Sequence, residues 1–499
     1  MNLQLKVQKD VLLLFLYTIV CNLVLISAGA TVGYSSVVLP ILTDNTSITD
    51  NTITLNTMES SLFVSILSII ITIGCFLSII MMNYGRRRTM IVCGVIFSLG
   101  WILMATSYNV IQLFVGRILT GFGYGLCTTS VGIYLAEISI PSWREVITVT
   151  PNVALTIGIL VVYLLGYVIE NNWRLMAAVF SIPSILFVLC NIFFICESPE
   201  WLLLKGQKEK AKIALLRIRG LHQETIEFQE EFSKMVNYIE LSISQNCQID
   251  SSSTKEFGWR SFLNRNVWGM LTKIRRMIVL PEVWKPFVIL NLYLLFQKFC
   301  GLYVIIYYTV DIITRLKITI DPFLITVIVG TIQVIGNMIA ACFSKRIGRR
   351  IISIVSGTGI SISLGALAIY LQFFETTGIT VVPLVCFLLY VGFGAFGFFS
   401  MPLAMIPELY PSKYVNVLGQ ITNAISLLSS FVIVQLYPTM VTHDRNATIY
   451  FYCVIAIIAT VFLTITLPET LGKTKTQIEE AFKDKLKINE TFKKIEDAC

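Results

Sequence analysis

Long apolar runs, broken by short charged or turn-forming stretches, dominate the chain. They fall at about 11–37, 60–82, 90–108, 111–135, 147–169, 175–196, 285–310, 322–343, 351–373, 380–406, 415–437 and 448–467. A helix needs about 20 apolar residues to cross a bilayer, so each run predicts one crossing. The order is six runs, a gap and six more. The gap, from Glu197 to Glu282, is rich in Lys, Arg, Glu and Gln, and Lys208–Arg219 and Thr225–Ile239 have the spacing of short amphipathic helices. The pattern therefore predicts an all-α polytopic membrane protein: a six-helix half over 1–196, a linker over 197–283, a second half over 284–468 and a polar tail over 469–499.

Composition agrees with lipid as the main solvent. Of 499 residues 55% are hydrophobic and 14% charged, with mean hydropathy +0.76, whereas an ordinary soluble protein is roughly a quarter charged. The net charge of +8 resides between apolar runs, which argues against nucleic acid as a partner. Twelve cysteines without a CxxC pair, and two histidines, His222 and His443, give no metal-ligand pattern. No nucleophile–base set or phosphate loop suggests an enzyme, and no cofactor is expected. The first run follows Lys6 and Lys9 without a small-residue cleavage site and reads as a retained helix.

Basic residues set the expected orientation. Arg86, Arg87 and Arg88, then Arg144, then Lys345, Arg346, Arg349 and Arg350, then Lys413 all fall on the side of the linker and both termini. The positive-inside rule makes that side cytosolic, with a plasma-membrane location expected. Opposite loops are poor in Lys and Arg, with Arg315, Lys317 and Arg445 as the main exceptions. Two of these loops carry acceptor triplets for glycosylation, at Asn45 and Asn446; a third triplet, at Asn489, falls in the tail.

An internal repeat supports two parallel halves. Gly85-Arg86-Arg87 recurs 263 residues later as Gly348-Arg349-Arg350, and Glu137 with Pro141 is answered by Glu408 with Pro411. Such halves enclose a substrate path between them. The Gly-Arg-Arg cations are placed to meet Glu137 and Glu408 as a latch that holds the two halves together in one state and breaks in the other, with Arg144 nearby. The alternative is that they set topology and hold lipid phosphates.

These motifs resemble the sugar porter family of the major facilitator superfamily over nearly the whole chain. The resemblance rests on the two Gly-Arg-Arg turns, Gly116-Arg117 with Gly121, Gly123 and Gly125, Tyr134 with Glu137, Glu197-Ser198-Pro199, Gln297 with Gly301, Tyr307-Tyr308, Glu408 with Pro411, and Pro468-Glu469-Thr470. Within the family it resembles in particular the insect facilitated trehalose transporters. It implies a twelve-helix major facilitator fold and facilitative transport of a sugar of the trehalose or hexose class by alternating access. A bilayer and a small-molecule sugar are the implied partners, and a monomer suffices.

The resemblance also implies a substrate site, from which this chain departs. The family pattern Gln-Gln-x-Ser-Gly-x-Asn on the seventh helix reads here Gln297-Lys298-Phe299-Cys300-Gly301-Leu302-Tyr303. Other implied ligands are Gln333, Asn152 and Ser426, with Tyr307 and Tyr308 as an outer gate. Leu403 and Leu427 stand where the family offers Trp. Lys298 is the sharpest departure, since a lysine facing lipid at mid-helix costs about 2.5–3.5 kcal/mol. It answers to an anionic or strongly polar ligand, to hydrogen bonding among waters and Gln297, or to a degenerate site.

Proton-coupled relatives carry an acid after a Gly-Tyr or Gly-Phe pair in the first helix, whereas Gly33-Tyr34 is followed here by Ser35. The resemblance therefore implies uniport. Met82, Lys345, Glu200 and Val415 replace charged family positions on the Gly-Arg-Arg face. Two alternatives stay open: a non-transporting sensor on a carrier fold, and an organic-anion carrier.

Overall fold

The computed structural model describes residues 2–43, 53–140, 143–169, 172–221, 223–250, 281–316, 318, 320–374, 380–410, 415–469, 471 and 482. Asn45, residues 251–280 and nearly all of the tail beyond 471 lie outside the described residues, as does the side chain of Arg144. Among the described residues every regular element is helical, and twelve helices are long and apolar enough to cross a membrane. They are Val11–Thr43, Thr57–Tyr84, Arg86–Ala105, Val110–Ile138, Val146–Val168, Trp173–Phe193, Val283–Arg315, Pro322–Ala340, Arg349–Phe373, Val381–Ile406, Leu418–His443 and Arg445–Thr466, here called the first to twelfth spans. Between the sixth and seventh, the described residues form the linker helices Pro199–Leu204, Lys208–Ile218 and Ile226–Asp250.

The first six spans pack on one another, as do the last six. The two groups meet where the first span faces the seventh, the second faces the eleventh and the fifth faces the eighth. The fourth-span glycines are packing devices: a Cβ on Gly125 would collide with the Ile71 carbonyl, and one on Gly123 with the Phe97 ring.

Two spans are broken, and both breaks face the meeting of the groups. The seventh stops at Phe299 and restarts at Leu302, turning through Gly301 at φ +85°, a left-handed conformation that favours glycine. It bends again at Tyr308, at φ −128° and ψ 24°. The tenth loosens into a π-turn over Gly394–Phe398 and restarts at Met401 with Pro402 in its first turn. Irregular backbone at membrane depth survives only where protein or a polar cavity satisfies it.

The linker docks on the first group. Arg219, 4% exposed, pairs with Glu231 at 2.7 Å and donates 3.0 Å to the Ile138 carbonyl at the end of the fourth span. Arg217 donates to the Phe193 carbonyl at the end of the sixth. The Lys212–Glu224 pair, 2.6 Å apart, lies at the surface. Each partner favours the other's charged form, so the lysine is held above its ordinary range and the carboxyl below.

Candidate substrate cavity and the Gly-Arg-Arg networks

A cavity of about 190 Å³ lies between the two groups at the level of both breaks. Asn152 of the fifth span, Asn337 of the eighth, and Asn423 and Ser426 of the eleventh bring polar groups to it, and Tyr124, Tyr303 and Phe399 bring rings. Tyr303 stacks on Phe399 at 5.3 Å between centroids. Amides that donate and accept beside aromatic faces suit a polyhydroxylated ring. Two lining atoms, Ser400 Oγ and Asn337 Oδ1, are buried without a hydrogen-bond partner. Leu403 and Leu427 form aliphatic wall.

Lys298 reaches this cavity from the last turn of the first half of the seventh span. It is 2% exposed, and its Nζ lies 2.9 Å from the centroid of the Tyr303 ring. Among the described residues no Asp or Glu lines the cavity. A desolvated cation over a ring gains about 2 kcal/mol, and a helix C-terminus adds about 0.3–1 kcal/mol. Removing an ammonium from water costs several kcal/mol, so the local partners leave a deficit.

Two of the expected ligands stand elsewhere. Gln297 is fully buried, and its Nε2 donates to the carbonyls of Phe398 (2.6 Å) and Phe399 (2.9 Å). Pro402 has no N–H for the carbonyl four residues back, which is that of Phe398, and Gln297 supplies the missing donor. Gln333 lines a separate pocket of about 10 Å³ behind Phe399, room for about one water. Asn337, one helical turn on, lines both pockets. The sequence reading omitted Asn337, Asn423, Tyr124 and Thr128. The available signal was their helical phase: Asn337 shares a face with Gln333, and Asn423 with Ser426.

Tyr307 separates the central cavity from a vestibule of about 500 Å³ on the side away from the Gly-Arg-Arg turns, lining both. Beside it Tyr163 donates its hydroxyl to the Ile306 carbonyl at 3.0 Å, and the Val310 amide donates to Ser36 Oγ at 3.3 Å. These bonds hold the second half of the seventh span against the first and fifth. Tyr308 packs on Tyr437 at 4.7 Å, and Tyr437 donates to Asp311, which is paired with Arg315. Tyrosine contacts and backbone bonds thus pack this region between the cavity and the vestibule.

On the opposite face the repeated motifs build two related networks. Arg86 chelates Glu137, 2.8 Å at closest, and Arg349 pairs with Glu408 at 2.7 Å. Each pair lies within its own group of six, tying the start of the third span to the end of the fourth, and of the ninth to the tenth. This corrects the expectation that these pairs join the two halves: each arginine and its glutamate belong to the same group of spans. Arg87 donates to the last-turn carbonyls of Asn191 and Ile192, and Arg350 to that of Thr464. Arg144 opens the helix of the fifth span.

Two acids complete the symmetry. Glu197 Oε1 accepts the backbone amides of Arg86 (2.7 Å) and Arg87 (3.0 Å), an anion on a helix N-terminus. Gly85 has φ +133°, and a Cβ there would lie 2.6 Å from Glu197 Oε2. Gly348 has φ +93°, and its Cβ would lie 2.8 Å from both Glu469 oxygens. In the second network Arg350 Nε and Glu408 Oε2 are buried with no hydrogen-bond partner among the described residues.

Arg117 is fully buried in the first group. It donates to the carbonyls of Thr31 (2.7 Å) and Phe63 (3.2 Å) and to Ser35 Oγ, and lies over the Phe63 ring at 4.6 Å. The acceptor triplet at Asn446 sits in the first turn of the twelfth span, and its Thr448 is 3% exposed with its hydroxyl bonded to the Asp444 carbonyl. A helical, half-buried triplet of this kind does not suit sugar attachment.

The model of the sugar (and other) transporter family matches residues 14–482. The chain is 28% identical over 461 residues to the facilitated trehalose transporter Tret1 of Apis mellifera ligustica, covering 91% of this chain and 85% of that one. It is 27% identical over 467 residues to the sugar transporter ERD6-like 6 of Arabidopsis thaliana, covering 92% and 88%. Among solved structures the inward open xylose transporter XylE from E. coli superposes with TM-score 0.73 at 22% identity, over 94% of this chain and 99% of that one. Twelve spans, two parallel groups with repeated Gly-Arg-Arg networks, and a match over nearly the whole sequence place this chain in the sugar porter family of the major facilitator superfamily.

Proposed function

We propose that the chain is a facilitative carrier that moves a single-ring sugar down its gradient by alternating access. The observation that carries this reading is the central cavity: amides from both groups of spans converge beside aromatic rings at two helix breaks, with Tyr307 between cavity and vestibule. At about 190 Å³ it is smaller than the roughly 300–1,000 Å³ of pockets for drug-sized ligands. That favours a hexose over the disaccharide in the names of several relatives. One chain forms the whole cavity, so a monomer suffices. The basic loops favour a plasma-membrane orientation with the Gly-Arg-Arg face and both termini cytosolic.

Uniport is the simpler coupling, since Arg117 meets Ser35 and carbonyls where a proton-coupled carrier holds an acid. The test is uptake of labelled glucose and trehalose by proteoliposomes, with and without an imposed pH gradient. Saturable glucose uptake, indifferent to the gradient and exceeding that of trehalose, is the expected result. Absence of saturable uptake in a monodisperse preparation that binds sugar overturns the carrier reading in favour of a sensor.

A further inference from the structure

Among the described residues the cavity lining carries one lysine and no Asp or Glu, and this imbalance concerns the substrate. We propose that the cavity takes a sugar carrying one carboxylate, a uronate or aldonate, seated against the Lys298 ammonium. The inference rests on the carrier reading for transport, but its central claim is about binding.

Lys298 is 2% exposed and lines the cavity with its Nζ over Tyr303. Its ring contact and helix end do not offset burial of the charge, and the acids nearest in the path are committed elsewhere. Asp311 lies in the vestibule beyond Tyr307, paired with Arg315. Glu137 and Glu408 are held by arginines. The adjacent Gln297 does not accept from the lysine: its Nε2 donates to the tenth span, and its Oε1 is buried without a hydrogen-bond partner. A carboxylate arriving with the substrate completes the pair in a low-dielectric site, where opposite charges interact strongly. The rest of the ligand is specified by the remaining lining: Asn152, Asn423 and Ser426 with the unpartnered Asn337 Oδ1 and Ser400 Oγ address hydroxyls, and Phe399 offers a ring face. One cation matches one carboxylate; a phosphomonoester, with about 1.5–2 negative charges at neutral pH, leaves charge uncompensated.

The experiment measures equilibrium binding of glucuronate, gluconate and glucose to detergent-purified protein, alongside proteoliposome uptake, for wild type, Lys298→Gln and Lys298→Arg. Wild type is expected to bind glucuronate at least tenfold more tightly than glucose, Lys298→Arg to keep the order, and Lys298→Gln to lose or reverse it. Equal affinities in wild type, or a preference unchanged by the glutamine, overturn the proposal. If the glutamine variant is not monodisperse, the wild-type ratio and its retention in the arginine variant decide. Lysine-dependent glucuronate binding without uptake sinks the carrier reading and leaves this one standing; glucose uptake without charge preference does the reverse. A monodisperse wild type that binds none of the three overturns both.

Discussion

Gln297 donates its amide to the Phe398 carbonyl at 2.6 Å, the acceptor that Pro402 leaves free in the tenth span. The glutamine is thus a brace between two broken helices. Gln297→Ala orphans the carbonyls of Phe398 and Phe399, and leaving buried polar groups unsatisfied costs about 1–3 kcal/mol. The thermal midpoint of the purified protein should fall by several degrees, while sugar affinity of the folded fraction changes less than threefold. A tenfold loss of affinity at unchanged midpoint returns Gln297 to the ligand set.

Asn337 should behave in the opposite way. Its Oδ1 is buried in the cavity wall with no protein partner, so Asn337→Leu removes an acceptor that only the substrate or water uses. The expected result is at least a tenfold rise in the dissociation constant for the transported sugar with a midpoint within about 2 °C of wild type. Equilibrium binding and thermal unfolding of one preparation check both halves of the statement.

This contrast marks how far the sequence was legible. The twelve spans are written in it because a chain in hydrocarbon must satisfy its backbone internally, and the helix that does so needs an unbroken apolar run. Edges were less legible: the first span reaches Thr43, beyond a run ending near residue 37, because Pro40 is accommodated inside the helix. The site was half legible. Asn152 and Ser426, implied by the family resemblance, line the cavity, whereas Gln333 and Asn337 share a helix face and only depth separates them. The bracing contacts of Gln297 could not be read from the sequence, because its partners, the carbonyls of Phe398 and Phe399, lie about a hundred residues away. The arginine–glutamate pairs were legible as partners, but nothing in their spacing says that each closes within its own group.

Arg117 permits a test of energy coupling. Its guanidinium is fully buried and bonded to two carbonyls and Ser35 Oγ. Ser35→Asp sets a carboxyl against it, and an ionisable acid at membrane depth exchanges a proton as its surroundings change. Wild-type uptake should be the same with and without an inward proton gradient, whereas Ser35→Asp should respond at least twofold. An aspartate variant that transports normally and ignores the gradient shows that an acid against Arg117 is insufficient for coupling.

In the linker, two ion pairs of nearly equal length should differ in weight. Arg219 and Glu231 are 2.7 Å apart, with the arginine side chain 5% exposed and also donating to the Ile138 carbonyl. Lys212 and Glu224 are 2.6 Å apart in solvent. Arg219→Ala strands a buried carbonyl and a carboxylate and should cost about 1–3 kcal/mol. Lys212→Ala should leave stability nearly unchanged, since solvent screens the pair. Glu224 has its pKa lowered by the lysine, so its share of stability is present above the ordinary carboxylate range and is lost as pH falls through the lowered value. The lysine, raised in turn, loses its share only as pH rises through its own. At neutral pH the surface pair is therefore fully formed, and a small Lys212→Ala effect there reflects solvent screening, not a pair half titrated. Limited proteolysis of the linker in both variants reads the difference: faster cleavage in Arg219→Ala alone fits, and equal acceleration in both rejects the weighting by burial.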